Sequence, residues 1–357
     1  MSAGFEFRRA LVSRNKGTHN RSYESFSEIF SKYVQRLGKY EKASVLSHVE
    51  AIAPATSANL GAGFDVFGVA LSELFDTVAV DVVKSDNKVK VFVEGRNPEL
   101  VPTDPEKNTA GIVAKALMKI SGKNCGLVIN IKKGVRPGSG LGSSAASAAA
   151  SALAVNEALQ LGLTRRELVK FAALGEVAAA GVPHADNVSA AILGFFTVII
   201  SHDPFEVLQL PMPGNAAFVI ATPESVLETS KARSVLPKQV PLSDAVHNIS
   251  RAAAFVAGAL LNNLNLMGMG MSDLIAEPYR TKLIPGLADV KRGAIEAGAA
   301  GVAISGSGPS VLALVDLSKK VETEVLKAMK EGFGKHGIEC ETMVTKPGLG
   351  AKIVRRE

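Results

Sequence analysis

The sequence predicts an α+β protein with two domains. Segments typical of strands alternate with segments typical of helices in both halves of the chain. Hydrophobic residues make up 47% of the 357 residues and charged residues 21%, which is the composition of a globular protein with a large core. A chain of this length is longer than a typical single domain, so we expect two domains.

The first 44 residues are predicted to form a basic extension. They contain nine Lys or Arg and four Glu, a net charge of +5, whereas the whole chain has a net charge of +6. The rest is therefore nearly neutral, and its charge does not favour a nucleic-acid partner. Apolar residues at helical spacing predict one amphipathic helix in the extension. Those residues are Phe26, Ile29, Phe30, Tyr33, Val34 and Leu37.

Composition also argues against several classes of protein. Trp is absent and aromatic residues are only 5% of the chain, so stacking surfaces for single-stranded nucleic acid are not expected. Cys125 and Cys340 are the only cysteines, too few for a zinc pattern or a disulfide framework. No apolar run suits a membrane span, and the N-terminus lacks a signal-peptide core. We expect a cytoplasmic protein that binds neither nucleic acid nor membranes.

The first domain of the body is predicted to cover residues 45–193. Runs of β-branched and alternating apolar residues predict strands at 45–52, 66–71, 78–83, 89–93 and 127–131. Apolar residues at helical spacing predict helices at 107–120, 144–160 and 165–180. Residues 53–65 are predicted to form a polar loop between two strands.

The second domain is predicted to cover residues 194–357. The same patterns predict strands at 195–200, 217–221, 301–304 and 311–315, with further strands at the C-terminus. They predict helices at 242–264, 287–297 and 319–336. Both domains thus mix strands with helices, which is typical of the α+β class.

A glycine-rich turn after the strand at 127–131 carries the strongest functional signal. Of the 17 residues from 138 to 154, 15 are Gly, Ala or Ser, so the turn opens a tightly packed helix. Glycine permits positive φ and a close approach of a ligand, and the first amides of a helix attract anions. We expect phosphate binding here; a plain loop before a close-packed helix is the alternative. The segment reads Arg136, Pro137, Gly138, Ser139, Gly140, Leu141, Gly142, Ser143, Ser144, Ala145 and Ala146.

This turn does not match the two best-known nucleotide motifs. A Walker A loop would need Gly-Lys followed by Ser or Thr at a fixed spacing, and a dinucleotide fingerprint would need an acidic residue about 20 positions on, after a second strand. Neither is present. The turn therefore predicts a different kind of phosphate site.

Polar residues elsewhere suggest a metal ligand and a substrate pocket. Asn59 and Asp65 are the functional candidates of the loop 53–65, although loops favour Asn and Asp for turns as well. Glu176 lies in an otherwise apolar helix. If buried, it needs a cation or metal partner, and one Glu with one Ser hydroxyl is a plausible protein ligand set for Mg²⁺. A solvated helix face is the alternative.

Two further segments carry candidates of the same kind. His184, Asp186 and Asn187 are candidates for chemistry, and equally for capping the next helix. Arg233 and Arg280 are candidates to bind a carboxylate or phosphate, because one guanidinium can donate two parallel hydrogen bonds to such a group. The alternative is that they are surface residues, as most arginines are. Residues 305–310 form a second glycine-rich turn, which by itself is a weak signal.

Together these segments resemble the GHMP kinases. Three motifs occur in the order of that family, at residues 54–65, 137–146 and 305–310. The resemblance covers residues 45–357, and within the family it is greatest to the homoserine kinases. Residues 56–65, 138–145, 184–187 and 277–285 carry that finer resemblance. It implies a mixed sheet with helices in the N-terminal domain and a ferredoxin-like C-terminal domain.

The resemblance also implies a reaction and a set of site residues. ATP would phosphorylate the hydroxyl of L-homoserine, a step toward threonine, with Mg²⁺ held by Ser144 and Glu176. Residues 136–146 would hold the phosphates, and Asn108 and Lys133 would lie near adenine and ribose. The amino acid would be surrounded by Asn59, Asp65, His184, Asp186, Thr229, Arg233, Arg280 and Gly306. Members of the homoserine kinase group are often dimers, so a homodimer is expected.

The mechanism predicted from the resemblance differs from that of two sister enzymes. In the mevalonate and galactose kinases of this family, an Asp assisted by a Lys is taken as the base. The resembling position here is Asn187, which cannot accept a proton at neutral pH. Our hypothesis is that Asn187 orients the substrate hydroxyl and that the γ-phosphate accepts the hydroxyl proton late in phosphoryl transfer. The alternative hypothesis is that Asp186 acts as the base. Rival functions are a sensor that binds without turnover and a kinase for mevalonate or shikimate.

Overall fold

The computed structural model describes residues 45–84, 87–180 and 184–357, and residues 177–180 by their backbone alone. The predicted extension 1–44 and its helix lie outside these residues. In the described part of the chain, no helix is both long and apolar enough to cross a bilayer.

Eleven strands and ten helices make up the described chain. The strands are β1 (Val45–Ala58), β2 (Phe67–Val83), β3 (Val89–Gly95), β4 (Gly126–Lys133), β5 (Phe196–His202), β6 (Phe205–Leu210), β7 (Ala216–Pro223), β8 (Gly301–Ile304), β9 (Val311–Asp316), β10 (Cys340–Thr345) and β11 (Lys352–Arg356). The helices are α1 (Thr109–Ser121), α2 (Ser143–Ala158), α3 (Arg165–Ala180), α4 (Asp186–Leu193), α5 (Thr229–Ser234), α6 (Leu242–Leu260), α7 (Leu264–Met269), α8 (Glu277–Arg280), α9 (Leu287–Glu296) and α10 (Glu322–Gly334). Short 3₁₀ turns lie at Pro98–Leu100, Thr281–Leu283 and Leu317–Lys319.

The first sheet has seven strands and is mixed. Its main order is β11-β1-β2-β4-β3, and β5 pairs with β2 and with β6. All neighbours are antiparallel except β3 and β4, which are parallel and joined through α1. Helices α1 to α4 pack around this sheet and share its largest hydrophobic cluster.

Helix α2 lies at the centre of that cluster. Twelve of its 16 residues are buried, because Ala and Ser side chains let strands and neighbouring helices approach it from several sides. It packs directly on β1 and β2 and against α1 and α3. The glycine-rich turn before this helix is therefore held firmly by the core.

The second sheet is antiparallel, in the order β10-β7-β9-β8. With two crossover segments between its strands, this is the ferredoxin-like arrangement that the resemblance implied. Helices α9 and α10 cover one face, where Val290, Val325 and Phe333 are buried. The other face packs on α6 and α7 and on Phe67 and Phe196 of the first sheet.

Several elements run further than the sequence predicted. β1 continues to Ala58, so half of the predicted loop 53–65 is strand, and β2 is one strand rather than two. The small buried side chains at 53–58 do not show the apolar pattern that predicts a strand. Pro54 has no backbone N–H to donate to β2, and the register of the pair shifts between Pro54 and Thr56, which accommodates the lost hydrogen bond. β5 and β6 pair within the first sheet. The domain boundary after residue 193 stays a prediction.

Candidate active site

The glycine-rich turn has the backbone geometry that the sequence predicted. Gly138, Gly140 and Gly142 all have positive φ, of 67°, 80° and 63°. A Cβ on Gly140 would lie 2.6 Å from the carbonyl oxygens of Ser305 and Gly308, and one on Gly142 would collide with Thr56. These two positions therefore require glycine for lack of space as well as for φ.

The carbonyl groups of the turn point into the protein. The backbone amide of Thr56 donates to Leu141 O at 3.0 Å, and that of Leu227 donates to Gly138 O at 3.1 Å. The hydroxyl of Ser305 donates to Gly140 O at 2.8 Å, and that of Ser310 to Ser139 O at 2.6 Å. The three predicted motifs thus meet around one turn.

The amide groups of the turn are left available. Within the described part of the chain, none of the backbone amides of residues 138–145 donates to a protein acceptor. Helix α2 begins at Ser143 without a side-chain cap. Free amides at the positive end of a helix are typical of sites that bind phosphate oxygens, so phosphate binding here stays a prediction.

Glu176 of helix α3 faces this helix terminus. Its side chain is only 6% exposed, and its Oε2 accepts a 3.1 Å hydrogen bond from the hydroxyl of Ser144. Its Oε1 is buried and has no hydrogen-bond partner among the described residues. Burial raises the pKa of this carboxyl to about 7. An orphaned carboxylate oxygen beside a Ser hydroxyl fits a hard divalent cation.

Lys133 is occupied by protein groups. Its ammonium is buried and donates to Asp76, to Ser143 O at 2.8 Å and to the Ser147 hydroxyl at 2.9 Å, which uses its three protons. Asp76 also accepts from the Gly134 amide at 3.0 Å. Burial lowers the pKa of Lys133. The pair ties the start of the turn to the start of α2. Lys133 also lines the cleft in front of the turn, and its place near the ribose stays a prediction.

Asn108 also has an architectural role in the described structure. Its Oδ1 accepts a 3.1 Å hydrogen bond from the Gly111 amide and caps α1, and its Nδ2 donates to Pro102 O at 2.7 Å. Its neighbours Lys107 and Thr109 line the cleft in front of the turn, whereas Asn108 does not.

Asp186 and Asn187 lie at the start of α4, close to the glycine-rich turn 136–146, which we call the phosphate turn after its predicted role. Asn187 Oδ1 accepts a 2.7 Å hydrogen bond from the Thr56 hydroxyl and lies 3.0 Å from where a Gly142 Cβ would be. Asp186 is buried, and its Oδ1 accepts from the Asn187 amide at 2.7 Å. Burial, and then the nearby charge of Asp65, raise the pKa of Asp186 to about 6.

An acidic and basic cluster lies beside these residues. Arg233 donates from one nitrogen to both oxygens of Asp65, at 2.7 and 2.8 Å, and contacts His184 Nδ1 at 3.3 Å. Its Nε and the His184 Nε2 are buried without partners among the described residues. Burial, and then Arg233, lower the pKa of His184. The unused polar atoms indicate room for a polar ligand.

Arg280 completes the cluster from α8. It is buried and donates to Gly306 O at 3.0 Å and Ala232 O at 3.3 Å. Its guanidinium and that of Arg233 stack on Phe64, at 5.4 and 5.5 Å from the ring centroid. Burial lowers the pKa of Arg280, which nonetheless remains a cation under ordinary conditions.

The remaining predicted substrate residues lie on the glycine-rich turn 305–310 and near it. Asn59 donates from Nδ2 to Gly306 O at 2.8 Å and accepts from the Asp65 amide at 3.0 Å. The hydroxyls of Thr229 and Ser307 lie 3.5 Å apart. The geometry thus brings all eight predicted substrate residues into one neighbourhood.

One cleft of about 400 Å³ joins the phosphate turn to this cluster. Of the eleven residues predicted to hold phosphate, six line it: Pro137, Gly138, Gly140, Gly142, Ser143 and Ser144. The side chains of the other five do not; Arg136, for example, binds Pro223 O at 2.6 Å. The sequence did not predict the other lining residues, which are Ala58, Leu100, Val101, Pro102, Lys107, Thr109, Ser147, Val226, Leu227, Glu228, Ser230 and Ser307.

The chain is similar to known protein families, proteins and solved structures. The family models for the GHMP kinases N terminal domain and the GHMP kinases C terminal region match residues 108–195 and 252–334. The homoserine kinase of Methanocella arvoryzae is 46% identical over 85% of this chain and 97% of its own length. The crystal structure of homoserine kinase from Cytophaga hutchinsonii has a TM-score of 0.81 and 39% identity, covering 86% of this chain and 97% of its own.

A more distant structure shares the fold alone. The crystal structure of mevalonate kinase from L. major has a TM-score of 0.61 at 14% identity, over 86% of this chain and all of its own. The higher identities extend over almost the full length of the homoserine kinases compared, and the three motifs meet around one cleft. This chain therefore belongs to the GHMP kinases and, within that family, to the homoserine kinase group.

Proposed function

We propose that this protein transfers the γ-phosphoryl group of ATP to the side-chain hydroxyl of L-homoserine. One observation carries the proposal: a single cleft joins an anion site with free amides to a cluster that offers both carboxylates and guanidinium groups. The first part suits a nucleotide triphosphate, and the second suits the ammonium and carboxylate of an amino acid. The homoserine kinase relatives support the same reaction.

The phosphate turn accounts for the placement of ATP. Its free amides and the dipole of α2 favour the negative phosphate oxygens. Leu100, Val101 and Pro102 supply an apolar wall at one side of the cleft, where the nucleobase can pack. The phosphates would then lie between this wall and the substrate cluster.

Ser144 and Glu176 fit a magnesium ion that accompanies ATP. The fit rests on Oε1 of Glu176, which is buried and has no hydrogen-bond partner in the described part of the chain, and which requires a cation when ionised. Mg²⁺ bound there supplies neutralisation of charge on the phosphate oxygens. Glu176 and Ser144 would act as its protein ligands, and most other positions would remain for water and phosphate.

The charged cluster accounts for recognition of an amino acid. Asp65 and Asp186 can pair with the substrate ammonium, and Arg233 and Arg280 with its carboxylate. His184 and Asn59 hold this cluster in place through Arg233 and the Asp65 backbone. Mevalonate lacks the ammonium group, and shikimate lacks it too, so this arrangement favours homoserine over either.

We expect Arg280→Lys to raise KM for homoserine about 10- to 100-fold, because charged hydrogen bonds to a carboxylate would be lost. KM for ATP should change less than threefold. Steady-state kinetics with each substrate varied in turn measures both values. Arg292→Lys, an exposed arginine paired with Asp289, is the matched control and should have no effect. An equal rise in both KM values would contradict the assignment of Arg280 to the amino acid.

In the proposed mechanism no strong protein base is needed. The homoserine hydroxyl oxygen forms the new P–O bond while the bond to the β-phosphate oxygen breaks, and the hydroxyl proton passes to a phosphoryl oxygen late in transfer. Phosphoryl transfer with a loose transition state requires mainly alignment and charge neutralisation. Asn187, oriented by Thr56, would align the hydroxyl.

We expect Asn187→Ala to lower kcat only about 10- to 100-fold, with ATP affinity unchanged, because an aligning hydrogen bond is lost rather than a base. Single-turnover kinetics and ATP titration test this. Asp186→Asn discriminates the competing picture. A fall in kcat of more than about 10³-fold in that variant, beside a mild effect at Asn187, would assign the base to Asp186.

Release of ADP in the presence of single candidate substrates tests the proposed function as a whole. The panel consists of L-homoserine, L-threonine, mevalonate and shikimate. Turnover that is at least 100-fold faster with homoserine supports the proposal. ATP binding without turnover on any substrate would instead favour a sensor, and preference for mevalonate or shikimate would favour a sister kinase.

The setting of the reaction follows from the same proposal. Homoserine phosphorylation is a step of threonine biosynthesis, and we propose that it takes place in the cytoplasm. We also propose a homodimer. No part of the proposed function requires a membrane or a nucleic acid.

A further inference from the structure

Phe64 contacts both arginines of the substrate cluster. The guanidinium carbon of Arg280 lies 5.4 Å from the centre of its ring, and that of Arg233 lies 5.5 Å away. A cation within about 6 Å of an aromatic ring is attracted to the ring face. Both arginines line the cleft, whereas Phe64 does not. The ring therefore touches the groups proposed to bind the substrate and not the substrate itself.

The two guanidinium groups carry like charges in a site from which water is partly excluded. Arg280 is buried and Arg233 is half-buried. Burial, and less strongly the charge of Arg233, lower the pKa of Arg280, whereas the charge of Asp65 raises it. Repulsion between like charges is stronger where the effective dielectric constant is low. A neighbour that attracts both cations is needed to hold them side by side, and the negative face of the Phe64 ring is such a neighbour.

Arg233 depends on this ring more than Arg280 does. Arg280 donates to two backbone carbonyl groups, which stay in place whether or not a ligand is bound. Arg233 donates to the carboxylate of Asp65 and contacts His184. Under the proposed function, the substrate ammonium also pairs with Asp65. The hold of Asp65 on Arg233 would then weaken at the moment when Arg233 must bind the substrate carboxylate, and the ring would remain.

The backbone holds Phe64 and Asp65 firmly at this place. The amide of Phe67 donates to Gly63 O at 2.9 Å, and that of Gly63 donates to Asn59 O at 3.0 Å. The amide of Asp65 donates to Asn59 Oδ1 at 3.0 Å, and Asp65 itself has a positive φ of 58°. This tight turn lets two consecutive side chains, one charged and one aromatic, contact the same guanidinium group.

We propose that Phe64 is a positioning residue for the substrate carboxylate: its ring holds the guanidinium groups of Arg233 and Arg280 where both can bind that carboxylate. The inference rests on the proposed function, because it requires a carboxylate substrate at these two arginines. It does not require a particular one, since L-homoserine, mevalonate and shikimate all carry a carboxylate. It adds that the electron density of the ring, and not only its volume, sets the affinity for the substrate.

We expect Phe64→Leu to raise KM for homoserine about 5- to 30-fold, because Leu fills a similar volume without a negative face. KM for ATP should change less than about twofold, since the ring contacts neither the phosphate turn nor the metal ligands in the described structure. ADP release with each substrate varied in turn measures both values. Phe92→Leu, at a half-buried position of β3 on which no arginine of the described chain stacks, is the matched control and should change neither. Circular dichroism verifies that both variants are folded.

Fluorinated phenylalanines at position 64 separate the electrostatic effect from packing. One, two or three fluorine atoms withdraw electrons from the ring face but hardly change the size of the ring, so its attraction for a cation weakens in steps. We expect KM for homoserine to rise about two- to threefold with each added fluorine, and KM for ATP to stay constant. If all three fluorinated proteins bind homoserine as the wild type does, the ring acts through packing alone and the proposal is overturned. An equal rise in both KM values also overturns it.

The wild type distinguishes a failure of this inference from a failure of the proposed function. The series is measured with whichever carboxylate of the substrate panel the wild type turns over fastest. A preference for mevalonate or shikimate, with KM still rising at each fluorine, contradicts the proposed function and supports the role of Phe64. Turnover of homoserine with a KM that fluorine does not change contradicts the role of Phe64 alone. A wild type that neither turns over nor binds any of these carboxylates, as measured by calorimetry, overturns both.

Discussion

Replacement of Glu176 by Gln is expected to lower kcat/KM for magnesium-ATP by about 10²- to 10³-fold, the usual effect of removing one electrostatic stabiliser of a transition state. Gln keeps the volume and can still accept the hydrogen bond from Ser144. Only the negative charge is lost, so a large effect would reflect metal binding rather than packing. Steady-state kinetics at varied Mg²⁺ concentration measures it.

The same substitution should stabilise the protein when no metal is present. Burial raises the pKa of Glu176 to about 7, above its ordinary value of 4.5. The folded state therefore binds the proton more tightly than the unfolded state, and the stability contributed by the protonated form is lost as pH rises toward and through 7. At pH 8 without Mg²⁺, Glu176→Gln should have a higher Tm than the wild type, whereas at pH 5 the two should differ little.

Metal binding should show the opposite dependence on pH. Mg²⁺ requires the ionised carboxylate, so its apparent affinity in the wild type should fall about tenfold per pH unit below pH 7. The Gln variant should lose this dependence along with most of the affinity. Glu296→Gln, at an exposed position on α9, is the control for loss of a surface charge. An active Glu176→Gln enzyme with normal Mg²⁺ dependence would refute the metal role of Glu176.

Much of the fold could be predicted because its elements follow local patterns. Strand β4 and helices α1, α2 and α3 lie within a few residues of their predicted bounds, since apolar periodicity is strong there. The extension of β1 through residues 53–58 could not be predicted. These residues are small, and their strand conformation is fixed by pairing with β2 residues that lie 10 to 23 positions further along the chain.

The candidate site also has parts that could be predicted from the sequence and parts that could not. The phosphate turn was predictable because positive φ at three alternating glycines and an Ala-rich helix leave a local sequence signature. The pairing of Asp76 with Lys133 has no such signature, because the partners are 57 residues apart and meet only when β2 and β4 pair. Likewise Asn108 is a helix cap, a role that its sequence context and the resemblance together did not reveal.

We expect Lys133→Met to destabilise the fold by about 3 to 5 kcal/mol, the usual result of removing one partner from a buried ion pair. Asp76 is completely buried and would lose its cationic partner, although the amides of Gly134 and Val135 and the Ser147 hydroxyl would still donate to it. Denaturant unfolding of the protein without nucleotide measures the loss. The double variant Asp76→Asn with Lys133→Met should recover part of it, because no unpaired charge remains.

These variants also separate the two roles considered for Lys133. If Lys133 acted as a ribose ligand, as the resemblance implied, Lys133→Met would raise KM for ATP while leaving the free energy of unfolding almost unchanged. If its ammonium instead fixes the turn to α2, stability falls first, and ATP affinity should partly return in the double variant, since removal of the unpaired charge lets the turn regain its geometry. Because three protein acceptors already use all the protons of the ammonium, we expect the second outcome.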